Sequence, residues 1–499
     1  MKPKILFWID TNYTQFGIAK FLQEKTDANF YAIYDFHHHI KNIFLDQSIV
    51  DFKKQWFYWD NHPRLDKNFD LSYLKSFEIK YKIDLWKIIS SERLFSDYDS
   101  FHFFNNEEIL SIVEKDCRFF ETVLDEIKPD FLIIKLADFL RTHLLVELCK
   151  SKGIKVLMLI QNRLGYLVNV SSSISELQDF KKIQLDSKNN SPTFLELRNY
   201  LQKYDKQKQF QNLKSGDIGV PLIDKVKTFF DWFFNTFDDE YRQTYDHTGV
   251  TRFNVITKRI DNMLITRKRK SFIDNHSIMN INFGEKFIYF PLHVQPERNL
   301  DLDSPYFKNQ LDVIENIARS LPINYKLYVK EHFSMKYRKW RPLSFYKALL
   351  SLPNVRFLHP SFDSLTAIKN SSLVITIAGS SGLEAAFYEK PSIIFADLSY
   401  SNLSCVTKVE NIEDLHELIK NSLKIQVDPF ELFQFIKFQE NNSIPFDEIE
   451  LNNSILDNFH SSGLVPDSKI SIKNLNSFFE NRRKSFEPLI NEYIKKIFN

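Results

Sequence analysis

Short apolar runs, each followed by a helical pattern, recur in two separate stretches of this chain. That rhythm limits the possible folds more than any other feature. In the first stretch the runs are 5–9, 30–34, 131–134 and 156–160, separated by helical patterns at 17–25, 106–127 and 139–152. In the second they are 287–290, 325–330, 355–358 and 373–377, with helical patterns at 306–320 and 343–351. Runs that are apolar on both faces and alternate with helices belong to parallel strands covered on either side. The expected class is therefore α/β, with two doubly wound sheets whose ligands gather at the carboxyl ends of the strands.

At 499 residues the chain exceeds one ordinary core. The expected division is 1–166 for the first α/β half, 167–283 for a mainly helical insertion, 284–426 for the second half, and 427–499 for a helical tail placed to pack back on the first half. The insertion carries polar runs at 171–175 and 185–191, then aromatic and basic segments at 226–237 and 252–270. Its cluster Arg267, Lys268, Arg269 and Lys270 reads either as a solvated helix face or as a contact for anionic lipid or polymer. Lys and Arg number 66 against 64 Asp and Glu, a net charge of +2, which argues against a nucleic-acid binder. Cys117, Cys149 and Cys405 are odd in number and widely spaced, as reduced core residues of a cytosolic protein are. The run 5–9 breaks at Asp10, too early for a signal peptide, and no apolar stretch reaches the roughly 18 residues of a spanning helix. The expected location is the cytoplasm, with any membrane contact peripheral, at the inner face of the plasma membrane.

Three polar clusters follow successive apolar runs of the second half. His293, Gln295 and Glu297 follow 287–290; Lys330 and His332, with Arg341 further on, follow 325–330; Gly379, Ser380, Ser381, Gly382 and Glu384 follow 373–377. Only ten glycines occur in the chain, yet two of them lie three positions apart in this last turn. Glycine lets backbone approach a ligand closely, and free N–H groups at a helix start attract anions. The stretch 381–384 also fits a capping box that would satisfy those groups internally, and His293 alone fits a turn residue. In the first half Asp10 and Asp138 follow strand-like runs and are candidate general bases, Asp10 also reading as a turn or helix cap. Asn162 and Arg163, after the last run of that half, are candidate substrate contacts.

The motifs FPLHVQPE at 290–297, YVKEHFSM at 328–335, RPLSFY at 341–346, LPNV at 352–355 and TIAGSSGLEA at 376–385, in this order, resemble the capsule polysaccharide biosynthesis family. Those proteins are similar to GT-B glycosyltransferases, including the Kdo transferases of capsule assembly. The resemblance covers residues 285–400; the first half matches only as a general α/β domain. It implies two Rossmann-like domains, GT-B-like, with the second half binding the nucleotide of an activated sugar and the first binding the acceptor across a cleft. By the same resemblance His332, Ser380, Ser381 and Gly382 would hold phosphates, Glu384 the ribose, and His293, Gln295 and Glu297 the sugar side. The family commonly has Glu-His-Pro where this chain has Glu331, His332 and Phe333, so the rigid turn of that proline is absent here.

The expected activity is transfer of a sugar from a nucleotide-sugar donor, CMP-, CDP- or UDP-linked, to a growing surface glycan or glycolipid, with no cofactor and no metal. Sugar-nucleotide epimerisation or polyol-phosphate transfer on the same scaffold is the alternative. A non-catalytic nucleotide- or glycan-binding subunit of a capsule assembly complex is the third reading.

Overall fold

The computed structural model describes residues 2–36, 38–62, 65–96, 102–173, 192–202, 252–459 and 470–498. The runs 185–191 and 226–237, and the last two residues of 171–175, lie outside them. The described residues separate into two compact units. The first takes in the described residues of 1–172, 205–255 and 442–499, the second those of 173–204 and 256–441.

In the first unit the elements are β1 (Lys4–Ile9), α1 (Thr14–Lys25), β2 (Asn29–Tyr34), β3 (Phe52–Phe57), α2 (Asn106–Ile127), β4 (Phe131–Lys135), α3 (Leu140–Ser151), β5 (Lys155–Gln161) and β6 (Leu167–Ser171). The sheet order is β3-β2-β1-β4-β5-β6, parallel except for β6, which returns antiparallel to β5. Local sequence accounts for the sharpest element. Asn105 and Glu108 form a reciprocal capping box at the start of α2, and Lys128 ends it in the left-handed conformation. Between them Ile109, Val113, Cys117, Phe120, Leu124 and Ile127 recur every three or four residues and are all buried. The edge strand β3 has no counterpart in the sequence reading, because Lys53 and Lys54 are adjacent and both exposed, which breaks the apolar pattern.

The second unit contains α4 (Arg252–His276), β7 (Lys286–Pro291), α5 (Gln310–Ser320), β8 (Tyr325–Lys330), α6 (Leu343–Ser351), β9 (Val355–Leu358), α7 (Ser364–Asn370), β10 (Leu373–Thr376), α8 (Ser381–Phe387), β11 (Ser392–Ile394) and β12 (Val406–Lys408). Its strands run parallel in the order β9-β8-β7-β10-β11-β12. Both sheets thus have Rossmann-like order, and the α/β class with two doubly wound units expected from the sequence is what the structure has. Strand order reverses between β1 and β4 in the first unit and between β7 and β10 in the second. The carboxyl ends of those pairs are where such sheets open a crevice for ligands.

The chain then returns to the first unit. β13 (Ile444–Pro445) pairs antiparallel with β6, and α9 (Glu448–Phe459), α10 (Ile472–Glu480) and α11 (Arg483–Phe498) follow. Phe459, Phe478, Phe479, Phe486 and Tyr493 of these helices share one core cluster with Phe7, Phe16 and Phe44. All three cysteines are buried and unpaired. No described helix is long and apolar enough to cross a membrane.

Candidate functional site

In the second unit His293 leaves β7, Lys330 ends β8, and the Gly379–Gly382 turn leaves β10, so the three sequence clusters meet at one sheet edge. His293 spans the switch point. Its Nε2 accepts from the Ala378 N–H at 3.2 Å and lies 3.2 Å from Thr376 Oγ1, which in turn accepts from the Gly379 N–H at 3.1 Å. A ring nitrogen that accepts from an amide carries no proton, so the imidazole is neutral at Nε2 and acts as a strut under the turn.

The turn has no room for larger residues. A Cβ on Gly379 would lie 2.5 Å from Thr376 Oγ1, and one on Gly382 would lie 2.7 Å from the Tyr400 hydroxyl, which itself donates to the Gly379 carbonyl. The capping box of the sequence reading does not form between Ser381 and Glu384. Helix α8 starts at Ser381 without a side-chain cap, and Ser380 Oγ donates to Glu384 Oε1 at 2.8 Å. Ser381 Oγ is buried with no hydrogen-bond partner among the described residues. A buried hydroxyl left open is costly unless a ligand completes it.

Beneath this edge lies a charged network that sequence reasoning did not find. Glu331 is fully buried, and its carboxylate accepts from Arg341 Nε at 2.8 Å, from the Tyr346 hydroxyl at 2.8 Å and from the His332 N–H at 2.8 Å. The rest of the Arg341 guanidinium donates to Gln295 Oε1 at 3.0 Å and to the His293 carbonyl. Gln310 completes the frame, accepting from His293 N–H at 2.8 Å and donating to Gln295 at 3.0 Å. Arg341 and Gln295, read from sequence as ligand contacts, are thus brought together as the brace that fixes the loops after β7 and β8. Glu297 lies at the start of the helical turn Arg298–Asp301.

Two basic side chains complete the edge. Burial pushes the His332 imidazole down to about 4, helped by the positive charges of Lys330, Arg341 and Arg338. It is neutral at pH 7, and Nδ1 accepts from the Ser334 N–H at 3.2 Å, so Nε2 carries the proton. Lys330 donates to Ser364 Oγ at 2.9 Å, and burial lowers its pKa to about 8 against the opposing pull of Asp363 and Glu331.

In the first unit the corresponding edge gathers Asp10 after β1, Lys135 at the end of β4, and Asp138. Asp10 is buried, pairs with Lys135 and accepts from the Asn12 N–H at 3.0 Å. Asp138 accepts from Arg93 at 2.6 Å. Both candidate bases are therefore engaged by cations. Asn162 donates to Ser443 Oγ at 3.0 Å, beside β6. The residue missed at this edge is Glu448, the first of α9. Burial raises its carboxyl, Lys135 lowers it and Asp10 raises it again, to about 7. Nothing in its local sequence marks it; only the pairing of β13 with β6 delivers it there.

Of the basic cluster on α4, Arg269 turns inward to the carbonyls of Lys339 and Trp340, and Lys270 pairs with Asp274, while Arg267 and Lys268 are exposed. Among the described residues no three His, Cys, Asp or Glu side chains gather as a metal ion requires.

No family model and no curated protein matches the chain. Solved structures similar to it include the UDP-GlcNAc 2-epimerase of Methanocaldococcus jannaschii, 14% identical over 88% of this chain and 99% of that one, with a TM-score of 0.25. The beta Kdo 2,7 transferase of Thermosulfurimonas dismutans KpsC is 13% identical over 71% and 87%, TM-score 0.29. The beta Kdo 2,4 transferase of the same KpsC is 10% identical over 62% and 79%, TM-score 0.30.

Proposed function

We propose that the chain is a glycosyltransferase that moves a sugar from a nucleotide-sugar donor to a growing surface glycan or glycolipid. The observation that supports this reading is that the Gly379–Gly382 turn after β10, with the open hydroxyl of Ser381, and the neutral Nε2–H of His332 and the Lys330 ammonium at the end of β8 lie at the carboxyl ends of strands of one sheet. These are hydrogen-bond donors and one positive charge at a sheet edge, the combination that takes a phosphate ester. Donors fixed at that edge would stabilise leaving-group charge as it develops. The order of motifs along 290–385 supports a sugar nucleotide as the ester.

Calorimetric titration of CMP, CDP, UDP, GDP and dTDP tests this. One nucleotide is expected to bind selectively, and the Ser381→Ala/His332→Ala pair to weaken it by about 10- to 100-fold, the loss of one or two hydrogen bonds to a charged group. Binding of none of the five overturns the reading. With the nucleotide known, its sugar conjugates are incubated with and without glycan acceptor. Product that forms only with acceptor is transfer, whereas an isomerised donor recovered without acceptor assigns epimerisation instead.

Lys330 adds a pH signature. Its ammonium is present below about pH 8 and lost above it, so nucleotide affinity is expected to fall about tenfold or more as pH rises from 7 to 9.5. A bound phosphate raises the lysine's own pKa and moves the fall upward in the complex. The Lys330→Met variant is expected to bind weakly with no such slope, and an unchanged slope in that variant would remove Lys330 from the site.

A further inference from the structure

Helix α4 distributes its side chains the wrong way round for a helix that only packs on its own unit. Over its middle turns Ile260, Met263 and Leu264 are 53%, 50% and 56% exposed, while the polar Asn262 and Thr266 among them are half-buried. Helical spacing explains the division. Positions 260, 263, 264 and 267 recur every one to three residues on one face, and 262, 266, 269 and 273 share the opposite one. The second face seats the helix: Ile273 is buried, and Arg269 donates to the carbonyls of Lys339 and Trp340 at 3.2 and 2.8 Å. The first face meets solvent, although a surface helix ordinarily turns its apolar residues to the core. Three cations border it. Arg259, Arg267 and Lys268 are exposed, and their side chains form no hydrogen bond or ion pair among the described residues. Asp261 is the only carboxylate between them in the sequence. All of these residues belong to the second unit.

We propose that this face of α4 is a docking surface for an anionic lipid bilayer, with Ile260, Met263 and Leu264 turned into the acyl boundary and Arg259, Arg267 and Lys268 among the lipid phosphates. Apolar and cationic groups side by side select this partner. Cations alone would serve any polyanion, but a dissolved acidic polymer offers no apolar surface on which three aliphatic side chains can be buried. An uncharged apolar partner would cover Arg267 and Lys268 without a counter-charge, which is costly. A bilayer with anionic headgroups supplies both, phosphate oxygens at the level of the cations and hydrocarbon just below them. The long arginine and lysine side chains reach outward to the headgroups while their stems lie along the apolar layer. The contact is peripheral, since no described helix is long and apolar enough to cross a membrane. It does not depend on which reaction the site at the β7/β10 edge carries out.

Flotation of the full chain with vesicles tests this, using phosphatidylcholine alone or phosphatidylcholine mixed with phosphatidylglycerol. Wild type is expected to float with the mixed vesicles and to stay behind with the neutral ones. Arg267→Gln/Lys268→Gln is expected to weaken binding to the mixed vesicles by about 10- to 30-fold, since each cation near an anionic surface contributes roughly fivefold. Ile260→Asn/Leu264→Asn keeps every charge and is expected to weaken binding by about tenfold or more, through the apolar contact alone. All four side chains are exposed, so both variants are expected to melt together with wild type. Wild type that does not float with the mixed vesicles overturns the inference. So does flotation that the asparagine pair leaves unchanged and that dissolved polyglutamate abolishes, which is how a surface for acidic polymers behaves. A dimer in solution that the asparagine pair dissociates also overturns it, by assigning the face to a second copy of this chain.

Discussion

Replacing Arg341 by alanine is expected to destabilise the second unit by about 3–5 kcal/mol, because it leaves the Glu331 carboxylate buried without its cation. Glu331 is 0% and Arg341 5% exposed, so water cannot take the place of the lost partner. Tyr346 and the His332 N–H remain, but they are neutral donors. The same substitution removes the guanidinium's bonds to Gln295 and the His293 carbonyl and leaves Gln310 as their donor, so the loops after β7 and β8 lose the link between them. Lysine is not expected to restore this, since one ammonium cannot reach Glu331, Gln295 and His293 in the plane that the guanidinium fork spans. The double change Glu331→Gln/Arg341→Met is expected to cost less than the sum of its parts, as both charges leave together. Urea unfolding, following the transition of this unit, checks the series. A loss below about 1 kcal/mol for Arg341→Ala would mean that the carboxylate is hydrated or protonated and the brace is decorative.

Arg341 also shows where sequence reading stops. Residues that act through their place on a strand were legible: His293, Lys330 and the Gly379 turn each follow an apolar run, and a parallel sheet brings such positions to one edge whatever the side chains are. The two α/β halves were legible for the same reason, as the interior of β7 and the whole of β10 are buried on both faces and read as apolar runs. What one side chain does to another was not. Arg341, downstream of Lys330 and His332, reads as a ligand contact, and only the packing of Tyr346 and Glu331 beside it shows where its charge goes. Glu448 was invisible for a different reason. It joins Asp10 and Lys135 through a two-residue strand inside a segment whose periodicity is helical, and two residues carry no period. The strand β3 was hidden by its own edge position, where solvent-facing lysines replace the apolar alternation that marks interior strands.

The same tail that delivers Glu448 is expected to carry much of the first unit's stability, through Phe479. This ring is 0% exposed and meets Phe16, Phe478 and Phe486 with centroids 6.1, 5.5 and 5.9 Å apart. Truncation to alanine removes a large apolar surface and opens a cavity between α1 and the C-terminal helices, at a cost of about 3–5 kcal/mol. Gly17 of α1 is the complementary half of the contact. A glycine inside a helix costs about 1 kcal/mol relative to alanine, so its presence needs a reason. Here a Cβ would lie 2.5 Å from Phe479 Cε1 and 2.9 Å from Phe486 Cζ. Gly17→Ala, which would stabilise an isolated helix, is therefore expected to destabilise the protein by about 1–3 kcal/mol through overpacking. The two substitutions are expected to couple. Once Phe479 is alanine the new methyl has space, so Gly17→Ala in that background should cost little or regain part of the helix propensity. A double-mutant cycle by thermal melting reads that coupling directly. If Gly17→Ala destabilises equally in both backgrounds, the close approach of α1 to α10 is not what excludes the methyl, and the tail does not seat on the first unit through this ring.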